Sequence, residues 1–315
     1  MTRLQTNALD WRPDRRTVIA GLAAAFGAQA GPLFAAAPRA HRKVGAIELT
    51  VVSDGSLNVP LSFSLPEIPL SEAQAFLASH GLAAASPIPT NVTLVKSADE
   101  LIVVDAGSGT NFQPTAGRLA DNLAAAGIDP ARVTKVVFTH CHADHLWGAI
   151  DDFDDGERFA NATYVISARE WDFWTDPTTA TRVPDWLKGM ALAGARILKR
   201  LEPKVARHGS DADIAPGLRF VETAGHTPGH MSVMVESGNE RLLIGADALS
   251  HPAVSFARPD WHWGSDYDSD QAIATRKRLL DQLASERIPL IGFHLPWPGL
   301  GMVERSGTAY RFTPL

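Results

Sequence analysis

Thr139-His140-Cys141-His142-Ala143-Asp144-His145 follows the apolar run Val133-Thr134-Lys135-Val136-Val137-Phe138 and packs three imidazoles and a carboxylate into six residues. The run reads as a buried strand over 133–139 that ends at the histidines. Imidazole nitrogen and carboxylate oxygen are the donors that zinc-like ions accept. Two apart on an extended segment, His140 and His142 point to the same side and can grip one ion. Where the chain turns into a helix, Asp144 and His145 project from its first turn and can reach a second ion. Both ions are then short of ligands, so more donors are expected at other strand ends. His226 follows a strand over 219–222 and can complete a three-histidine set; Asp247 follows the apolar strand 242–244 and can bridge both ions; His294 follows 288–292 and can serve the second.

Around this segment, short β-branched runs alternate with amphipathic stretches, without heptads, low-complexity tracts or a fixed repeat. The pattern predicts strands over 47–52, 93–96, 101–104, 163–167, 219–222, 231–235 and 241–244. Helices are expected over 114–126, with Gly127 as its stop, and over 168–174, 184–201 and 269–285. Two groups of strands with helices outside them predict stacked sheets covered on both faces, in one α/β domain over 38–315.

The chain has 315 residues, 45% hydrophobic and 20% charged, which is enough apolar content for a substantial core. A formal charge of −6 gives no electrostatic reason to bind nucleic acid. A single cysteine, Cys141, excludes an intrachain disulfide. Residues 1–37 have the layout of an export signal: Arg15-Arg16-Thr17-Val18-Ile19 precedes an uncharged, Ala-rich stretch. The paired arginines resemble a twin-arginine signal, with Val18 in place of the usual aromatic residue. The expected partner is the twin-arginine export machinery and the expected location is periplasmic or secreted, with no stable membrane anchor. Cleavage is expected after Ala28-Gln29-Ala30 or Ala35-Ala36-Ala37.

His-x-His-x-Asp-His, followed in order by His226, Asp247 and His294, resembles the metal motif of the metallo-β-lactamase superfamily. The similarity runs over roughly residues 45–315 and is greatest to the methyl parathion hydrolase and lactonase branch. It is carried by Val51-Val52-Ser53-Asp54-Gly55, Val104-Asp105-Ala106-Gly107, Pro114-Thr115-Ala116-Gly117-Arg118-Leu119, His294-Leu295-Pro296-Trp297-Pro298-Gly299 and Tyr310-Arg311-Phe312. The resemblance implies a four-layer αββα sandwich with a site for two divalent ions, preferably zinc, at one edge. It assigns His140, His142 and His226 to one ion, Asp144, His145 and His294 to the other, and Asp247 to both. It further implies Phe112, Trp174 and Trp186 as substrate-pocket walls, and Asp105 as a hydrogen-bond partner that orients a ligand. Two residues depart from the pattern: Trp147 and Ala246 stand where many relatives have glycine.

The expected nucleophile is a hydroxide held between the ions, with Asp144 and Asp247 as catalytic carboxylates. The expected substrate is a small ester, a lactone or aryl ester, with phosphotriester hydrolysis as a side activity. The alternatives are a β-lactamase, a non-hydrolytic metal-binding protein and a mononuclear iron oxygenase. The last needs only two histidines and one carboxylate, which fits seven candidate ligands poorly. Cys141 should point away from the ions as an inert buried thiol, His230 should support its loop and His251 should line the pocket. Trp261 and Trp263 are expected in a mobile rim, and a homodimer is compatible with the sequence.

Overall fold

Val136 and Val137 are both buried although successive strand side chains face opposite ways, so their strand must lie inside a sheet covered on both faces. The computed structural model describes residues 39–151 and 156–315; the export segment expected over 1–37 lies outside them. One seven-stranded sheet runs in the order β1 (Arg39–Val44), β2 (Ile47–Leu57), β3 (Ile88–Ser97), β4 (Glu100–Val104), β5 (Lys135–Val137), β6 (Thr163–Ser167) and β7 (Val205–His208). Its first four strands pair antiparallel; β4 to β7 pair parallel, with Val103 opposite Val136 and Val136 opposite Tyr164. The second sheet comprises β8 (Asp213–Ala215), β9 (Leu218–Glu222), β10 (Met231–Ser237), β11 (Glu240–Ala246), β12 (Leu290–Gly292), β13 (Leu300–Ser306) and β14 (Ala309–Pro314). They lie in sequence order across that sheet, antiparallel except for β11 with β12.

Leu49, Val51, Ile102, Val137 and Val165 of the first sheet meet Phe220, Val233, Leu242, Ile244 and Ile291 of the second in a central core. The outer face of the first sheet is covered by α3 (Leu119–Ala125), α5 (Ala168–Thr175) and α7 (Asp185–Leu201), through Leu119, Leu123, Trp171, Leu187 and Leu198. The outer face of the second is covered by α9 (Ser269–Glu286), through Leu279, Leu280 and Leu283. These layers make the αββα sandwich. A fourth, smaller cluster joins α1 (Leu61–Ser64) and α2 (Leu70–Ser79) to α8 (Val254–Ala257) and the loop after it, through Leu65, Leu77, Val254, Trp261 and Trp263. Two further one-turn helices, α4 (Ala143–Leu146) and α6 (Thr179–Arg182), complete the set named here. No described helix is long and apolar enough to cross a membrane.

The helix expected from residue 114 begins only at Leu119. Asp54, buried on β2, takes over its start: Oδ1 accepts from the Leu119 amide at 2.8 Å and Oδ2 from the Gly117 amide at 3.3 Å. The same carboxylate accepts from the amide and hydroxyl of Ser108, so it closes two loops together. Gly117, at φ 75°, turns the chain with its Cα so close to the Gly109 carbonyl that a Cβ would fall 2.1 Å from that oxygen. The strand expected to reach 139 stops at Val137, because the Thr139 amide donates to Asp105 Oδ1. β1, the β13–β14 hairpin and the α1–α2 segment lay outside the predicted elements.

Ala246, at the end of β11, has φ 45° and ψ −130°, a conformation that a Cβ makes costly. Ala246→Gly is expected to raise unfolding stability by about 1 kcal/mol, the relieved strain exceeding the added chain entropy of glycine. Urea unfolding measures this directly; a lower midpoint in the variant would show that the backbone here is not strained.

Candidate metal centre

Every expected ligand follows the carboxyl end of a strand at one edge of the sandwich, where loops from both sheets meet. The segment 140–145 leaves β5, His226 follows β9, Asp247 follows β11 and His294 follows β12. His140 Nε2 lies 3.1 Å and His226 Nε2 3.0 Å from His142 Nδ1, so three ring nitrogens converge on one point. Beside them, His294 Nε2 lies 3.2 Å and His145 Nε2 3.4 Å from Asp144 Oδ2. Asp247 spans the two groups: Oδ2 is 3.3 Å from His226 Nε2 and 3.2 Å from His294 Nε2, while Oδ1 is 3.2 Å from His145 Nε2.

The donor set fits two divalent ions. Donor atoms of His140, His142 and His226, and of Asp144, His145 and His294, lie within 4.8 Å of one another in each trio. Tetrahedral zinc with bonds near 2.0–2.1 Å separates neighbouring ligands by about 3.3 Å, close to the nitrogen contacts of the first trio. Asp144 Oδ2, His145 Nε2 and Asp247 Oδ1 are buried and make no hydrogen bond, an arrangement that is costly unless a cation satisfies them.

The remaining ring nitrogens hold the imidazoles in place. Asp105 Oδ2 accepts from His145 Nδ1 and from the Thr139 hydroxyl, each at 2.8 Å, as expected of a ligand-orienting carboxylate. That hydroxyl, already donating to Asp105, accepts from His140 Nδ1 at 3.1 Å and leaves Nε2 for the site. His226 Nδ1 donates to Asp266 Oδ1 at 2.9 Å, and His294 Nδ1 to the Pro89 carbonyl at 2.8 Å. His142 differs, since its Nε2 is buried without a partner. His230 Nε2 accepts from the Asp247 amide at 3.2 Å, so the histidine expected to support its own loop also holds the Asp247 backbone.

Without ions, burial and the neighbouring carboxylates act oppositely on histidines of the two trios. Burial holds His140 and His142 well below the usual imidazole range. Burial also opposes charge on His145, but Asp144, Asp247 and Asp105 outweigh it and push that imidazole well up. His294 rises to about 10 against the same burial, under the pull of Asp247 and Asp144. Asp247 and Asp144 are correspondingly held down by His294 and His145 despite their own burial.

An apolar pocket of about 100 Å³ opens above Asp144, Asp247 and His294, walled by Phe63, Ile88, Phe112, Trp186, Met190 and Trp263. Phe112 and Trp186 stand where the pocket reading put them. Trp174 does not. It is 1% exposed, its Nε1 donates to Glu170 Oε1 at 2.6 Å and its ring meets the His142 ring edge-on at 5.8 Å, so it packs behind His142 and not on the pocket wall. Trp147, one of the departures from the family pattern, packs edge-on against Phe112 at 5.7 Å. Trp261 and Trp263 do not form a mobile rim: both are buried, and Arg276 donates to the Pro259 and Trp261 carbonyls while pairing with Asp266. Cys141 is buried, and its thiol is pushed up chiefly by that burial.

His251 lines a second chamber of about 170 Å³, with Leu61, Leu77, Leu82, Pro87 and Pro252; the two spaces share Ile88, Trp263 and His294 as walls. Its Nδ1 accepts from the Ala253 and Val254 amides at 3.1 Å, and burial, with His80 nearby, lowers its pKa to about 4. The unfolded chain therefore takes up this proton first, and stability contributed by the neutral ring is lost as pH falls from about 6.5 towards 4. His251→Asn keeps an acceptor but cannot be protonated. Between pH 7 and 4.5 it is expected to lose about 2–3 kcal/mol less stability than the wild type, read from urea unfolding at both pH values. Equal losses would remove His251 from the account of acid sensitivity.

Asp266 and Glu170 are functional-site residues that the sequence reading missed. Asp266 has no spacing relation to His226 and meets it only through folding. Glu170 sits in Ser167-Ala168-Arg169-Glu170, a capping-box pattern, and the Ser167 hydroxyl does accept from the Glu170 amide at 3.1 Å. The Glu170 side chain instead turns inward to the loops that carry the histidines.

A family model described as the metallo-beta-lactamase superfamily matches residues 85–288. The solved structure of AidC, a dizinc quorum-quenching lactonase in complex with a product, is similar with a TM-score of 0.82 and 30% identity, covering 89% of this chain and 98% of that one. The hydrolase AbOPH in the beta lactamase superfamily is similar with a TM-score of 0.81 and 26% identity over the same shares. An N-acyl homoserine lactonase of Bacillus sp. is 26% identical over 176 residues, 56% of this chain and 61% of its own length. The N-acyl homoserine lactonase AttM of Rhizobium radiobacter is 33% identical over 138 residues, 41% of this chain and 46% of its own. The matches thus span about three fifths of the first of these curated relatives and under half of the second.

Proposed function

We propose, since this chain belongs to the metallo-beta-lactamase superfamily, that its site is a two-metal hydrolase centre acting on lactones. The observation that carries this reading is Asp247 spanning two donor trios at the floor of an apolar pocket. Two ions held there, zinc being suited to five imidazoles with carboxylate oxygens, would supply Lewis acidity for the carbonyl and a water acidic enough to attack at neutral pH. Asp144 would hold an ion through Oδ2, and its other carboxylate oxygen, at the pocket floor, takes the proton of the attacking water and returns it to the ring oxygen released on opening. Phe63, Phe112, Trp186 and Trp263 exclude water and hold the apolar part of the substrate over the carboxylates. A lactone suits this site because its leaving oxygen stays tethered, and the second chamber offers room for an apolar substituent. The aromatic walls also favour a phosphotriester with an aryl leaving group as a lesser substrate.

The test is a panel assay of metal-loaded protein with homoserine lactones of increasing acyl length, aryl esters, aryl phosphotriesters and β-lactams. Lactones are expected to give the highest kcat/KM, rising as the acyl chain lengthens into the second chamber. A higher value for a β-lactam or phosphotriester, or turnover of none of the panel, would overturn the lactone reading.

A further inference from the structure

Glu170, on the first turn of α5, is 0% exposed and makes no ion pair among the described residues, yet four donors meet its carboxylate. Oε1 accepts from the Cys141 amide at 3.0 Å and from Trp174 Nε1 at 2.6 Å. Oε2 accepts from the Thr227 hydroxyl at 2.8 Å and from the Gly229 amide at 2.9 Å. Each of these partners leads to one group of ligands. Cys141 lies between His140 and His142, Trp174 packs edge-on against the His142 ring, and Thr227 follows His226. The loop carrying His226 comes so close that a Cβ on Gly229 would lie 2.1 Å from the Glu170 nitrogen. None of the four contacts involves Asp144, His145 or His294.

We propose that Glu170 is a positioning residue that clamps the His140, His142 and His226 loops together and thereby sets the affinity of that trio for its ion, without setting that of the neighbouring trio. The two loops come from different sheets, β5 in one and β9 in the other. Two separate backbone segments therefore have to be held in register before their three ring nitrogens can share an ion. A carboxylate suits this task because it offers only acceptors to partners that donate. Three of the four are obligate donors, two N–H groups on the Oε1 side and one on the Oε2 side. A glutamine amide has nearly the same shape, but in either orientation its NH₂ would face at least one of them, leaving buried donors in conflict.

The test is stepwise competition of wild type and Glu170→Gln for zinc against a chromophoric chelator, alongside the visible absorption of the cobalt-substituted forms. Glu170→Gln is expected to weaken one of the two ions by about tenfold to a hundredfold and the other by less than about twofold. The cobalt bands of the weakened ion should shift while those of the other persist, and kcat for residual fully loaded enzyme should fall less than ion affinity. Equal weakening of both ions, or of neither, would overturn the proposal and assign Glu170 to general stability. Thr227→Val removes only one donor and leaves the carboxylate in place, so it decides the matter if Glu170→Gln does not fold. A roughly threefold loss confined to the same ion supports the clamp, and unchanged binding of both overturns it. A wild type that binds fewer than two ions would sink this proposal together with the two-metal reading, whereas failure of lactone turnover alone leaves the ion-affinity result standing.

Discussion

Asp247→Ala is expected to lower kcat/KM for lactone hydrolysis by roughly a thousandfold while the chain stays folded and binds fewer than two ions tightly. The two oxygens of Asp247 stand within 3.3 Å of ring nitrogens from both trios, His226 on one side and His145 and His294 on the other. Its loss would remove a carboxylate that the two trios share, and with it part of the cationic stabilisation the ions would supply to the ester carbonyl. The fold should survive, because Asp247 caps no long helix and its amide contact with His230 Nε2 is independent of the side chain. Steady-state kinetics with metal analysis and circular dichroism measure all three parts. Turnover within tenfold of wild type at full metal content would show that the carboxylate bridges nothing that matters to the reaction.

Stripping the protein with a chelator is expected to abolish hydrolysis and to lower its melting temperature by about 8–15 °C, both restored by two equivalents of zinc. The thermal part follows from mass action: each site held at a thousandfold excess over its dissociation constant stabilises the folded chain by about 4 kcal/mol, so two independent sites set an upper bound of about 8 kcal/mol. The loss stays moderate because protons replace the ions in part. With the site stripped, His145 and His294 are pushed up and pair with Asp144 and Asp247, which are held down. As pH falls, protons compete more strongly for those imidazoles and reloading weakens; as pH rises it strengthens. Calorimetric scans with zinc back-titration at pH 6 and 8 check the sign. Unchanged melting and activity after complete removal would exclude a metal role.

The candidate donors were legible because the motif is nearly contiguous. Strand period two puts His140 and His142 on one side, and the turn into α4 swings Asp144 and His145 to another, so local geometry alone divides the donors between two ions. His226, Asp247 and His294 were legible as polar residues directly after apolar strands. Orientation was not. The rings are turned by Asp105, Asp266 and the Pro89 carbonyl, and only the first of these sits in a recognisable turn. Trp174 shows the same limit: an aromatic residue near a site in sequence can equally line the pocket or pack behind its histidines, and the indole contact with Glu170 places it behind His142.

The amino-acid sequence thus determined the donor chemistry, its division into two groups and the two-sheet architecture, since each rests on residues a few positions apart and on backbone periodicity. The tertiary structure alone decided where α3 begins, which carboxylate clamps the first trio and which carbonyl turns His294. Those contacts join residues 65, 57 and 205 positions apart: Asp54 with Leu119, Glu170 with Thr227, and Pro89 with His294. Such pairs depend on how the two sheets stack and on the register of every strand between them. That is a property of the whole packed chain, which no local spacing contains.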